Sequence, residues 1–309
     1  MAYFLQQILN GLHIGAIYAL LSFGYALVNV LLRRTNLAHG AIFGFAGQLM
    51  ILAAVFGWQV LWLTLSATLI FGGLVALAYS ALVSDLLARH VFAPLAERSP
   101  NAIVVATLGV SLVLMEVGRL AAETRDFWLP PLLSAPLVFA EVDGFPVTLT
   151  HMQLVNCVVA AMMLAAAALF LATSHYGREW RAVGDDPLAA AMCGVDRWSI
   201  LRRTVLFGSM LAAVAGGMAA LHYGNIGFGA GLIFGLKVLF VAAIGGYSSP
   251  AWAAVGGLAF GIAESLWSAY FPIEWRDAWI FLLLVALLVL RPKRPEPDAR
   301  ALTPSKPRP

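Results

Sequence analysis

Residues 35–84 read TNLAHGAIFGFAGQLMILAAVFGWQVLWLTLSATLIFGGLVALAYSALVS, a stretch without a single Asp, Glu, Lys or Arg. An α-helix rises about 1.5 Å per residue and a bilayer core accommodates about 20 apolar residues. The stretch is therefore too long for one crossing and must turn back once. Gly57-Trp58-Gln59 is the expected turn.

Charge-free runs of the same kind cover 1–32, 144–177, 204–236 and 238–263. Over all 309 residues, 61% are hydrophobic and 11% charged, against about 25% charged in soluble domains. These runs predict an all-α, polytopic membrane bundle. The expected segments are 4–32, 40–56, 60–83, 102–121, 152–173, 204–223, 232–247, 251–271 and 275–290. The second and the last are short enough to be re-entrant or tilted, so eight or nine full crossings are expected. The first has no basic leader and exceeds a signal-peptide core, which predicts a retained membrane helix.

Alternation places Arg33, Arg34, Arg89, Arg98, Arg178, Arg181, Arg197, Arg202, Arg203 and the basic tail on one face, with Arg125 and Arg276 opposite. The positive-inside rule then predicts an external N-terminus and a cytoplasmic C-terminus. Residues 1–291 form the expected membrane domain, with a cytoplasmic loop at 174–203. Residues 292–309 read as a basic, proline-rich, disordered tail. The basic excess sits at helix ends, which argues for topology and against nucleic acid. The 123–150 stretch, with prolines at 130, 131, 136 and 146, is the expected long external loop.

Within the 174–203 loop, Asp186 precedes Pro187, Leu188, Ala189, Ala190, Ala191, Met192, Cys193 and Gly194. An aspartate at the N-cap accepts orphan backbone N–H groups, and proline suits the first helical position. A short helix stopped by Gly194 is expected, either docking a partner protein or serving as an interfacial linker.

Lys237 and Glu264 are the chief charges inside apolar runs. Each is costly to bury alone, so they are expected to pair, as a structural clamp or at a solute path. Asn10, Asn36 and His39 are further path candidates, with packing glue as the alternative role. Glu116 and Arg119 have the i,i+3 spacing of a surface pair. Glycines four apart at 11 and 15, 40 and 44, and 257 and 261 permit close helix approach. Breaks in the segments are expected at 227–231 and 245–250.

Neither a GxxxxGK[ST] nor a GxSxG motif occurs, and no HExxH or Cys/His cluster suggests a metal. The two cysteines, Cys157 and Cys193, have no metal or redox spacing. No cofactor is expected, and the chain is not expected to be an enzyme.

In order and spacing, several pieces resemble the permease subunits of branched-chain amino-acid ABC importers, the Liv-type family, and its shorter membrane subunit in particular. They are NGLHIGAIYAL at 10–20, TNLAHG at 35–40, ATLGVS at 106–111, Gly177-Arg178 with Arg181-Ala182-Val183, the Asp186–Gly194 segment, Gly235-Leu236-Lys237, Gly245-Gly246 and Gly256-Gly257. The resemblance covers about 7–292. It implies a subunit of a bacterial inner-membrane importer, paired with a second permease and two cytoplasmic ATPases and fed a small-molecule solute by a periplasmic binding protein. It also implies that the Asp186–Gly194 segment is a coupling helix. Asp185, Asp186, Pro187, Leu188, Ala191, Met192 and Gly194 would then meet the ATPase, with Arg181 and Arg197 at the rim. Related permeases serve urea, short amides or other amino acids, and an autonomous secondary transporter working through Lys237 and Glu264 is the remaining alternative.

Overall fold

The computed structural model describes residues 2–96, 100–142, 144–246 and 249–290. The chain forms α1 (Ala2–Leu32), α2 (Ala38–Gln59), α3 (Leu65–Leu87), a π-turn (Ala88–Phe92), α4 (Ala93–Ala96), α5 (Pro100–Ala121), β1 (Pro136–Val142), β2 (Phe145–Thr150), α6 (His151–Thr173), α7 (His175–Asp185), α8 (Pro187–Met192), α9 (Arg197–Tyr223), α10 (Ala230–Gly245), α11 (Pro250–Tyr270) and α12 (Arg276–Leu290), with a 3₁₀ turn at Ile273–Trp275. Among the described residues, six helices are long and apolar enough to cross a membrane: α1, α2, α3 with its extension to Leu95, α5, α6 and α9. The all-α membrane bundle is therefore present. α10 is apolar but only 16 residues long.

The charge-free run at 35–84 folds back once, but the turn expected at Gly57-Trp58-Gln59 is still helical and ends α2. α2 ends at Gln59, and the chain reverses over 60–64, where Val60 N–H donates to Phe56 O (2.9 Å) and Leu63 N–H to Gly57 O (3.1 Å). At 22 residues, α2 is a full-length helix rather than the short segment expected at 40–56.

Local sequence fixes the other ends. Thr150 and Gln153 build a reciprocal capping box at the start of α6, with Gln153 N–H donating to Thr150 Oγ1 and Thr150 N–H to Gln153 Oε1. Asp196 caps α9, and Gly224, at φ +74°, ends it. Ser249 and Pro250 begin α11. The break expected at 227–231 is confined to 224–229, because Ala230 and Gly231 already belong to α10. The break at 245–250 includes Gly246 at φ +102°, while its Tyr247 and Ser248 lie outside the described residues. Arg98 and the 292–309 tail also lie outside them.

α1 is the hub. From Gly15 to Asn29 it is buried on every side, as its all-round apolar sequence requires. It packs on α11, α9, α6 and α10, while α2 packs on α3, α9, α10 and α5, so α9 and α10 lie between α1 and α2. α3, α5 and α6 turn large apolar side chains outward, among them Ile70, Leu74, Val105, Val113 and Leu169.

The spaced glycines find each other. A Cβ on Gly261 of α11 would fall 2.2 Å from Gly15 Cα of α1, and one on Gly40 of α2 would fall 2.2 Å from Gly235 Cα of α10. Backbones this close leave no room for a side chain, and small interfaces of this kind are what hold helices together where lipid supplies no hydrophobic drive.

The 123–150 loop holds an unexpected antiparallel hairpin, with Pro136 opposite Thr150 and a bulge between Val138 and Ala140. Gln6 of α1 grips it like a strand neighbour: Gln6 Nε2 donates to Thr148 O and Thr148 N–H donates to Gln6 Oε1, both at 2.7 Å. The stretch before Asp186, read as loop, is instead α7, whose buried Trp180 donates through Nε1 to Leu27 O of α1 at 3.2 Å.

Candidate functional site

Tyr3, Gln7, Asn10, Ile14 and Tyr18 recur at helical spacing and put one polar-to-aromatic stripe on α1. That stripe forms a wall of a 680 Å³ cavity, closed by the end of α9, the start of α10, the end of α11 and the first turn of α12. Phe43, Ile233 and Phe234 supply its apolar side. His13, fully buried, stacks obliquely on His222 with ring centroids 4.1 Å apart. Asn156 Nδ2 lies 3.1 Å from His13 Nε2, and since an amide nitrogen only donates, that imidazole nitrogen is assigned as the acceptor.

Four charges line the same cavity. Lys237 Nζ of α10 reaches Glu264 Oε1 of α11 at 2.7 Å and Asp277 Oδ1 of α12 at 2.9 Å. Arg276 Nε lies 3.4 Å from Asp277 Oδ1 and 3.6 Å from Glu264 Oε1. Two cations and two anions balance, which is how charge is tolerated between membrane helices. The two pairs differ in access: the Lys237 and Glu264 side chains are 3% and 7% exposed, those of Arg276 and Asp277 34% and 45%.

The other candidate lies at the opposite end of the bundle. α1 runs from Ala2, next to Tyr3 at the cavity, to Leu32, about 46 Å for its 31 residues. Just beyond, Arg33 donates to the carbonyls of Gly184 (2.8 Å) and Asp185 (3.2 Å), which close α7. Asp186 then caps α8 as its sequence demands, accepting from Leu188 N–H at 2.9 Å and Ala189 N–H at 3.1 Å, with Pro187 in the first turn. Gly194 follows at φ +83°, a left-handed turn that a side chain would strain. Ala190 anchors the inner face, while Leu188 and Met192 stand 74% and 84% exposed and Ala191 is also exposed. Arg181 turns inward to the α6 terminus, donating to Leu171 O at 2.7 Å. Arg197 lies over the Trp198 ring, 4.5 Å from its centroid. Tyr176, in the same region, hydrogen-bonds Thr204 Oγ1 at 2.7 Å, and burial pushes its phenol up to about 12.

Of the residues singled out in the sequence, Asn10, Lys237 and Glu264 line the cavity together. Asn36 and His39 do not. Asn36 Oδ1 accepts from Ala38 N–H at 3.1 Å and so shapes the entry to α2, and His39 is buried with Nε2 3.1 Å from Leu21 O. His13, Tyr18, His222, Arg276 and Asp277 join the site without having been singled out for it. For α1 the signal was available in the i, i+3, i+4 spacing of its polar residues. Among the described residues no group of three His, Cys, Asp or Glu is placed to hold a metal ion.

Residues 7–288 match the family model described as branched-chain amino acid transport system / permease component. The chain is 32% identical over 294 residues to the high-affinity branched-chain amino acid transport system permease protein LivH of Salmonella typhimurium, covering 94% of each chain. It stands at the same identity and coverage to LivH of Escherichia coli K12, and is 29% identical over 296 residues to BraD of Pseudomonas aeruginosa, again with 94% of each covered. A match along nearly the whole membrane bundle, at this identity, places the chain in the family of branched-chain amino acid transport system permease components.

Proposed function

We propose that the chain is the membrane permease subunit of an ATP-driven importer that carries branched-chain or related amino acids across a bacterial inner membrane. In this reading it crosses the bilayer eight or nine times, with its N-terminus outside, and works with a second permease, two cytoplasmic ATPases and a periplasmic binding protein. No bond is made or broken in the chain itself. Its work is to favour one of two helix packings as the ATPases close and separate.

The observation that carries the reading is α8. It is a six-residue helix, capped at both ends and exposed, presenting Leu188 and Met192 at the end of the bundle opposite the cavity. Arg33 and Trp180 tie the segment just before it to α1, so a push on α8 reaches the helix that lines the cavity. Asn10, Lys237 and Glu264 stand on the solute side of that lever, while Arg181 and Arg197 flank the docking surface.

Asp186→Arg and Gly194→Val tests it in the reconstituted complex with its ATPases and binding protein. The expected result is a loss of solute uptake and of solute-stimulated ATP hydrolysis, with inserted protein and solute capture by the binding protein unchanged. Normal uptake by an inserted Asp186→Arg protein would refute the coupling role.

A further inference from the structure

The cavity's four charges do not have equal freedom. Lys237 and Glu264 are almost completely enclosed and sit 2.7 Å apart. Arg276 and Asp277 open to the cavity; Asp277 Oδ1 is held by Lys237 Nζ at 2.9 Å, whereas Arg276 meets its carboxylate neighbours only through long Nε contacts of 3.4 and 3.6 Å. Among the described residues no hydrogen bond engages the two terminal nitrogens of Arg276. That planar fork is the part of an arginine suited to two parallel bonds with a carboxylate.

We infer that Arg276 and Asp277, on the first turn of α12, form the pair that recognises the solute, and that they select for a zwitterion. The inference rests on the amino-acid permease reading above and assigns its recognition groups. A solute bearing adjacent carboxylate and ammonium groups exchanges partners with this pair: its carboxylate takes the Arg276 fork and its ammonium takes Asp277. Charge stays balanced at every stage, so entry never leaves an unpaired ion in the cavity. Lys237 keeps Glu264 and its contact to Asp277 Oδ1, fixing α10 against α11 and α12, while the solute ammonium joins it at the Asp277 carboxylate. Ile14, Ile233 and Phe234 then line the space left for an aliphatic side chain, and 680 Å³ accommodates a solute of leucine size together with water. A neutral amide or urea gains nothing from such an exchange and must compete with an intact ion pair.

The experiment uses the complete permease–ATPase complex in lipid nanodiscs and two photo-activatable probes, a diazirine analogue of leucine and an uncharged amide with the same side chain. Mass spectrometry of the α1 and α10 peptides reads the labelling. The wild type is expected to be labelled there by the zwitterion at least tenfold more strongly than by the amide. Arg276→Gln and Asp277→Asn are each expected to lower zwitterion labelling by roughly tenfold, the size of one charged hydrogen bond, while weak amide labelling persists and reports an intact cavity. Equal labelling by both probes, no cavity labelling of the wild type, or unchanged labelling of the variants would each overturn the assignment. Leucine uptake by the wild-type complex with its binding protein is measured alongside. Uptake without cavity labelling sinks only the Arg276–Asp277 site, whereas absence of uptake sinks the importer reading itself.

Discussion

Arg33 reaches across from the turn after α1 and donates to the Gly184 carbonyl at 2.8 Å, closing the C-terminal end of α7 with a side chain from a residue 151 positions earlier. The same guanidinium takes the Asp185 carbonyl. Exposed helix ends are otherwise left to water, so a cation there satisfies orphan carbonyls and complements the helix dipole. Because Asp185 runs directly into the Asp186 cap, the bond ties the hub helix to α8.

Arg33→Ala removes that tie without touching the core. The expected outcome is normal insertion and assembly but a several-fold loss of solute-stimulated ATPase activity. Arg33→Gly is informative beside it, since Arg33 sits at φ +50° and glycine relieves the backbone strain while still deleting the guanidinium. If the side chain is the active element, the glycine variant is as uncoupled as the alanine variant. A glycine variant with wild-type activity would show that the tie is dispensable.

Gly261 and Gly109 both sit inside helices, yet alanine should act on them in opposite directions. At Gly261 a Cβ meets Gly15 Cα and N at 2.2 Å, and backbone cannot yield as a flexible side chain can. Gly261→Ala is expected to cost about 1–3 kcal/mol or more through overpacking of α1 on α11, seen as a lower thermal midpoint in detergent. At Gly109 of α5 a Cβ meets nothing within 4 Å, so Gly109→Ala is expected to gain up to about 1 kcal/mol from helix propensity. A thermal midpoint for Gly261→Ala equal to the wild type would contradict the described helix crossing.

Much of this arrangement was legible before the structure, for identifiable reasons. That the run reverses once follows from length alone, because residues 35–84 carry no charge and still exceed one crossing; its place did not follow, since the expected turn at Gly57-Trp58-Gln59 ends α2 and the chain reverses over 60–64. The Asp186 cap was readable because it depends on adjacent residues. Lys237 and Glu264 were paired on energetic grounds, since neither survives burial alone. The partners of the glycine pairs were not legible: spacing says that Gly11 and Gly15 permit contact, but only packing says that Gly261 faces Gly15 while Gly257 faces Ala19. Arg276 read only as a charge on the sparsely basic face and Asp277 carried no signal, because it is the packing of α12 that brings Asp277 to Lys237. The hairpin was hidden by Pro136 and Pro146, which a two-stranded ribbon tolerates because its outer edges need no donors. α7 was hidden because its arginines read as loop, although Trp180 and Val183 share a buried face.

Lys237→Met alone leaves Glu264 and Asp277 with Arg276 as their only cation in the quartet, and Glu264 remains almost fully buried. Breaking one side of a buried pair typically costs about 3–5 kcal/mol, whereas replacing both sides with neutral groups of similar size is often neutral. The expected order of thermal stability is therefore wild type close to Lys237→Met/Glu264→Gln, and both well above Lys237→Met. A double variant no more stable than the single one would mean that Lys237 is held mainly by Asp277, and the clamp between α10 and α11 would have to be withdrawn.

Leu188 and Met192 carry the last prediction, because they separate a docking surface from a merely ordered loop. Both side chains lie on the outward face of α8, four residues apart and therefore on one side of the helix, with Ala191 beside them. If α8 stands outside the apolar layer, as proposed, such exposure is unfavourable unless something covers it, and neither residue belongs to the core. Leu188→Glu and Met192→Glu should therefore leave the thermal midpoint of the isolated permease unchanged, with surface substitutions expected to stay within about 0.5 kcal/mol. If α8 docks an ATPase as proposed, the same changes place a charge against an apolar partner groove, and ATPase copurification is expected to fall together with uptake. A drop in the permease's own stability would mean that α8 packs back onto the bundle. Unchanged copurification would mean that the ATPases grip the chain elsewhere.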